Sequence, residues 1–252
     1  MSLALAAILP SKSSPGSQQI KSSFGTDVDL THCLYREECQ ELASSYIIRS
    51  TATDSRTIVN YNELPEMSSD EFIAIAEKIG HETSWCHFEG RIPDTTLQCI
   101  RYLRDHFPAI QVSVELEKPA REGLQALAAE ADIVFYSKSW AQGNGHASAK
   151  ELLQAQVTLT PKASLLCCTW GHEGATALET GTSSFIYSSA YTDGKAPVVD
   201  TIGAGDTFIA GMLYGLLCTD WTSQHTLDFA NELAGRKVVQ EGFCGLGKLM
   251  QY

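Results

Sequence analysis

The chain has 252 residues, 44% of them hydrophobic and 19% charged, enough for one sizeable α/β domain and too balanced for a disordered or fibrous protein. A net charge of -12 leaves no basic surface to neutralise a nucleic-acid backbone, so a small-molecule partner is expected instead. The eight cysteines, Cys33, Cys39, Cys86, Cys99, Cys167, Cys168, Cys218 and Cys244, include no C-x-x-C pair with metal-ligand spacing and are expected as reduced thiols in the cytoplasm.

The opening residues MSLALAAILP are apolar but carry no basic n-region, and the run is far shorter than the roughly twenty residues needed to cross a bilayer. Residues 1–25 end in SKSSPGSQQIKSSFG, Ser-rich with Pro and Gly and without hydrophobic periodicity. They are expected as a poorly ordered N-terminal segment ahead of a folded domain over 26–252. SSYIIRS and RTIVNYN, joined by TATDS, predict a β-hairpin, because β-branched and aromatic residues flank a turn-forming cluster. In SSDEFIAIAEKIG, Ser68 and Ser69 are N-cap candidates, and Phe72, Ile75, Ala76 and Ile79 recur at helical spacing.

From there strands and helices alternate. SWCHFEG, IQVSVELE, DIVFYSK and SLLCCTW read as strands, and SSFIYSSAY as a shorter edge strand. TTLQCIRYLRDHF, REGLQALAAEA and AKELLQAQVTL read as helices between them, followed by DTFIAGMLYGLLC and HTLDFANELAGRKVVQ. This alternation predicts a mainly parallel sheet covered by helices on both faces.

The run Asp200-Thr201-Ile202-Gly203-Ala204-Gly205-Asp206 stands between an extended APVV and a helix expected to open at about Thr207. Glycines at 203 and 205 let the backbone turn tightly and approach a ligand. The unpaired N–H groups of a helix N-terminus, aided by the helix dipole, suit an anion there. Asp206 at the same helix start suits a general base for an attacking hydroxyl, with the amides of Gly203, Ala204 and Gly205 stabilising charge on a transferring phosphoryl group. On spacing alone, the simpler reading is that Asp206 caps the helix and the glycines make a tight connection. The run matches neither a Walker A loop nor a dinucleotide G-x-G-x-x-G.

The stretch VVDTIGAGDTF resembles the C-terminal signature of PfkB/ribokinase-type carbohydrate kinases. RTIV, HFEGR, VSVELEKP, VFYSK, CTWGHEGATAL and AGRK followed by EGFCGL resemble the ketohexokinase branch of that family, over roughly residues 25–250. The resemblance implies a ribokinase-like three-layer α/β/α fold with a partial β-hairpin lid, and ATP-dependent phosphorylation of a small sugar hydroxyl, a ketohexose such as fructose. It implies ATP and Mg²⁺ as cosubstrates, with a monovalent cation (K⁺) near Asp200. Asp206 would be catalytic, and Gly203, Ala204 and Gly205 would form the anion hole. Nucleotide contacts would come from Arg56 and from the turn Gly171, His172, Glu173 and Gly174 that follows Trp170. Asn231, Ala234 and Gly235 of the late helix would flank adenine, a position where small residues serve helix packing equally well.

Arg91, after a strand end, and Lys118 are phosphate or substrate candidates. Ser137-Lys138-Ser139-Trp140 replaces the N-x-x-E motif that many relatives carry near magnesium, so the metal would be held largely by ATP phosphates and water. Strand alternation puts Glu115 and Glu117 on one face as outer-shell metal partners, or equally as a solvated strand end. The family's early Asp-bearing strand and its G-G-x-x-N stretch are not found before Ser44, where only Asp27 and Asp29 occur. The chain is therefore expected as an N-terminally incomplete member, with a non-catalytic nucleotide-binding or partner-binding role as the alternative and a homodimer left open.

Overall fold

The computed structural model describes residues 2–49, 56–191 and 197–250, which fall into two compact units, 1–81 and 82–252. In the first unit β1 (Leu3–Ala4) pairs in parallel with β3 (Val28–Asp29), and β2 (Ile8–Pro10) with β4 (Leu34–Arg36); α1 (Pro15–Phe24) lies between β2 and β3 in sequence. The segment 1–25 is therefore not the structureless stretch its composition suggests. Its serines and proline are helix-starting residues: Ser14 is the N-cap, its side chain accepting from the Ser17 N–H at 3.1 Å, and Pro15 occupies the first turn, where its missing N–H costs nothing. Ser14 and Ser17 are buried, and the Ser17 hydroxyl donates to the Pro10 carbonyl at 3.1 Å.

The hairpin forms as expected from β5 (Ser44–Arg49) and β6 (Arg56–Tyr61), with Tyr46 opposite Val59 and Ile47 opposite Ile58. Its TATDS connection lies outside the described residues. Helix α2 (Ser69–Ile79) begins with a reciprocal capping box between Ser68 and Glu71. Arg36 grips the same Glu71 with two hydrogen bonds of 2.6 and 2.9 Å, holding its carboxyl down at about 2.

The second unit alternates in the order β7 (Trp85–Glu89), α3 (Pro93–His106), β8 (Gln111–Leu116), α4 (Leu124–Glu130), β9 (Ile133–Tyr136), α5 (Lys138–Gly143), α6 (Ala149–Gln156), β10 (Leu165–Thr169), β11 (Ala175–Glu179), β12 (Ser184–Ser188), α7 (Ala204–Cys218) and α8 (Ser223–Val238). Six strands form one sheet in the order β12-β11-β10-β9-β8-β7. Strands β7 to β10 run parallel, β11 and β12 antiparallel, and β12 is the edge expected of SSFIYSSAY. Two elements escape the sequence pattern. Helix α5 has only six residues, too few to show a helical period, and β11 is hidden in a Gly- and Ala-rich stretch that reads as a turn.

The period of two along each strand divides the core. Val112, Val114 and Leu116 are wholly buried on one face, where α4 packs on β8 and α6 on β10. On the other, Ile133, Phe135, Leu165, Cys167 and Ala177 pack against Phe208, Ile209 and Met212 of α7 and Leu227 and Ala230 of α8. Ser113 and Glu115 of β8 alternate onto this second face. One polar side chain, Glu115, is thus carried to the strand end beside α7.

Candidate active site

A cleft of about 520 Å³ opens where four parallel strands end. Glu89 at the end of β7, Glu115 and Glu117 at the end of β8, Tyr136 at the end of β9 with Ser137 after it, and Thr169 at the end of β10 line it, and Thr201 to Asp206 close it from the α7 side. Crevices at the carboxyl ends of parallel strands are where open α/β sheets bind ligands, because the connections to the following helices diverge there.

The Asp200–Asp206 run folds as a turn into α7, three residues earlier than expected. The helix begins at Ala204 rather than Thr207, with Gly203 as its N-cap in the left-handed region at φ 72°. A Cβ at Gly203 would stand 2.5 Å from the Phe243 ring, so the position requires glycine on both conformational and steric grounds. The first intrahelical bond runs from the Thr207 N–H to the Gly203 carbonyl at 2.9 Å, which leaves the Gly205 and Asp206 N–H groups ahead of the ladder. Ala204, expected in the anion hole, instead turns its N–H toward the Thr201 carbonyl at 3.3 Å. A Cβ on Gly205 would meet nothing within 4 Å, so that side of the turn is open to a bound group.

Asp206 is exposed, lines the cleft and stands in the first turn of α7, whose N-cap Gly203 has no side chain to cap the helix. Glu115 is half-buried, and burial raises its carboxyl to about 7, helped by the negative charges of Asp206, Glu117 and Glu89 and opposed by Lys118. Glu117 and Glu115 both line the cleft, as alternation predicts. Lys118 is paired with Glu117 at 2.9 Å and exposed rather than in the lining. The Ser137 and Ser139 hydroxyls donate to the Glu117 carbonyl at 2.9 and 3.2 Å, and Lys138 lies 5.3 Å from the Trp170 ring, tying the Ser-Lys-Ser turn to the ends of β8 and β10.

The remaining candidates separate. Gly171, His172 and Glu173 form an exposed 3-10 turn immediately after β10, two residues beyond the cleft-lining Thr169. Gly174 is buried at φ 101°, and a Cβ there would strike the Ser188 carbonyl at 2.1 Å, so its glycine is needed for backbone packing. Asn231 is buried with its amide donating to the Ser188 carbonyl at 2.9 Å, and Gly235 abuts Tyr191; these contacts are those of helix packing. Arg91 is exposed just past β7 and outside the lining. Arg56 begins β6 in the other unit.

The Asp200 carboxylate, near which a monovalent cation is expected, is engaged within the chain. It is ion-paired with the buried Lys237 ammonium, which also donates to the Asp200 carbonyl at 3.0 Å, while the Ile202 N–H takes Oδ1 at 2.9 Å. These bonds, the Lys237 hydrogen bond foremost, hold the Asp200 carboxyl below its usual range. Among the described residues no group of three His, Cys, Asp or Glu side chains gathers to hold a metal. The cleft carboxylates nonetheless fit a hard cation that keeps most of its ligands as water and phosphate oxygens. Sequence reasoning missed Glu89, Thr169 and Lys237. Glu89 sits inside the HFEGR segment singled out for Arg91, and the spacing of Leu227, Ala230, Ala234 and Lys237 already marks one buried helix face.

Residues 17–246 match the pfkB family carbohydrate kinases. The chain belongs to that family. It is 33% identical to mouse ketohexokinase over 87% of this chain and 73% of that protein. In fold it superposes on a ribokinase II of Escherichia coli with a TM-score of 0.79 at 14% identity, covering 96% of this chain and 79% of that one. An adenosine kinase of Sinorhizobium meliloti gives 0.77 at 19% identity, covering 98% and 76%. The family makes the chain an ATP-using phosphotransferase and the ribokinase-like α/β/α expectation correct. No helix among the described residues is long and apolar enough to cross a membrane.

Proposed function

We propose that the chain transfers the γ-phosphoryl group of ATP to a hydroxyl of a ketohexose, fructose, in the cleft at the α7 N-terminus, acting in the cytoplasm. The observation that supports this reading is the meeting of an exposed, cleft-lining Asp206 with the open, N–H-bearing first turn of α7. Asp206 accepts the proton of the attacking hydroxyl as its oxygen bonds to phosphorus and the bond to the ADP oxygen breaks. The Gly205 and Asp206 N–H groups and the helix dipole stabilise the charge on the transferring oxygens, with Gly203 setting their direction.

Glu115 and Glu117 would hold magnesium at an outer-shell distance, and it would supply positive charge to offset that of the nucleotide phosphates. The nucleotide lies along the Gly171–Gly174 turn, with Asn231 and Gly235 of α8 as further nucleotide contacts and Arg91 and Lys118 as phosphate candidates.

The test is ADP release from MgATP by the full chain with fructose, ribose or adenosine as acceptor. Release stimulated by fructose well above the other two supports the ketohexose reading. Preference for adenosine or ribose would replace the substrate but keep the kinase. A folded chain that binds ATP and releases no ADP with any acceptor would leave a nucleotide-binding member of the family.

A further inference from the structure

Lys237 is wholly buried in the last turn of α8. An ammonium taken out of water is destabilising unless paired, and this one is paired within a single short segment. Its Nζ donates to the carboxylate and the carbonyl of Asp200 and stands 5.2 Å from the centre of the Phe243 ring. The next residue continues the link, since the Val238 carbonyl accepts from the N–H groups of both Val199 and Asp200 at 2.7 and 3.1 Å. Asp200 passes it on by accepting the Ile202 N–H, and Phe243 packs where a Gly203 side chain would stand. The turn from 199 to 203 is thus held from residues 237–243, and it delivers Gly205 and Asp206 to the cleft. A well-packed apolar pair of similar size is commonly as stable as a buried ion pair, so stability alone does not account for a Lys–Asp pair here. What the pair adds is direction, because two donated bonds fix both the side chain and the backbone of Asp200.

We propose that Lys237 is a positioning residue for phosphoryl transfer, a buried cation that acts through Asp200 to fix the turn presenting the anion hole and Asp206. This rests on the phosphoryl-transfer reading of the cleft.

The test compares wild type with Lys237→Met and with Lys237→Met/Asp200→Leu, the second leaving no unpaired charge in the interior. Hydrogen–deuterium exchange over residues 199–206 is measured beside ADP release from MgATP with the best acceptor. In both variants exchange over 199–206 is expected to rise about tenfold while β8 to β10 keep wild-type protection. Turnover is expected to fall about 30-fold with the KM for ATP within about threefold, the split expected when alignment rather than binding is lost. Lys237→Ala should regain part of its turnover with ethylammonium and none with ethanol, which fills the same space without charge. A folded double variant with wild-type exchange and wild-type turnover overturns the proposal, as does equal rescue by ethanol. If wild type shows no turnover, the phosphoryl-transfer reading fails, and unchanged exchange over 199–206 in the variants then overturns the role of Lys237 as well.

Discussion

Glu115 shows how one residue sets the pH behaviour of the cleft. Burial and the charges of Asp206, Glu117 and Glu89 lift its carboxyl from 4.5 to about 7 in the folded chain. The folded state therefore keeps a proton that the unfolded state gives up. The stabilising effect of that proton is complete below pH 4.5 and lost as pH rises through 7. Glu115→Gln removes this dependence. Because water reaches the half-buried carboxylate, we expect a gain of only ~1–2 kcal/mol over wild type at pH 8, a Tm rise of roughly 2–4 °C, and little difference at pH 4.5. Thermal melts at the two pH values check it, and an equal shift at both would show that Glu115 titrates normally. The raised carboxyl was not legible in the sequence. Alternation placed Glu115 and Glu117 on one face, but the burial that chiefly lifts Glu115, and the Asp206 and Glu89 carboxylates beside it, come from packing between segments distant in sequence.

At the scale of elements, the start of α7 separates two glycines with different duties. Gly203 is held at φ 72° against Phe243, so Gly203→Ala combines left-handed strain of about 1 kcal/mol with a clash and should lower both Tm and turnover. Gly205 lies within the helix with open space around it, so Gly205→Ala should fold at least as stably as wild type, by up to about 1 kcal/mol. Its methyl nevertheless stands where the phosphoryl oxygens approach, and turnover should drop by about tenfold or more. A Gly205→Ala variant with wild-type kinetics would place the anion elsewhere. The D-T-x-G-A-G-D pattern made this turn readable in advance, while the helix begins three residues earlier than periodicity suggested because glycines carry no hydrophobic phase. The same limit hid α1, whose serines and proline read as linker composition although Ser14 and Pro15 are start signals.

At the scale of the whole molecule, the net charge of -12 and the carboxylates of Glu89, Glu115, Glu117 and Asp206 repel an anionic nucleotide. Screening should relieve this, so the KM for MgATP is expected to fall by about twofold as ionic strength rises from about 20 to 150 mM. A rise instead would point to an attractive basic contact dominating capture. Alternating strands and helices made the second unit's layering readable. Its boundary with the first unit, the switch to antiparallel pairing at β11 and the Lys237–Asp200 tie all depend on contacts between residues distant in sequence.

The central claim, that Asp206 takes the proton of the attacking hydroxyl, is tested most directly by following phosphorus NMR of MgATP and acceptor sugar with wild type and Asp206→Asn. The account predicts a sugar-phosphate resonance that grows with wild type, and with Asp206→Asn grows about 10²–10⁴-fold more slowly while the KM for ATP stays within about threefold. Sugar phosphate formed by Asp206→Asn at a rate near wild type would contradict it.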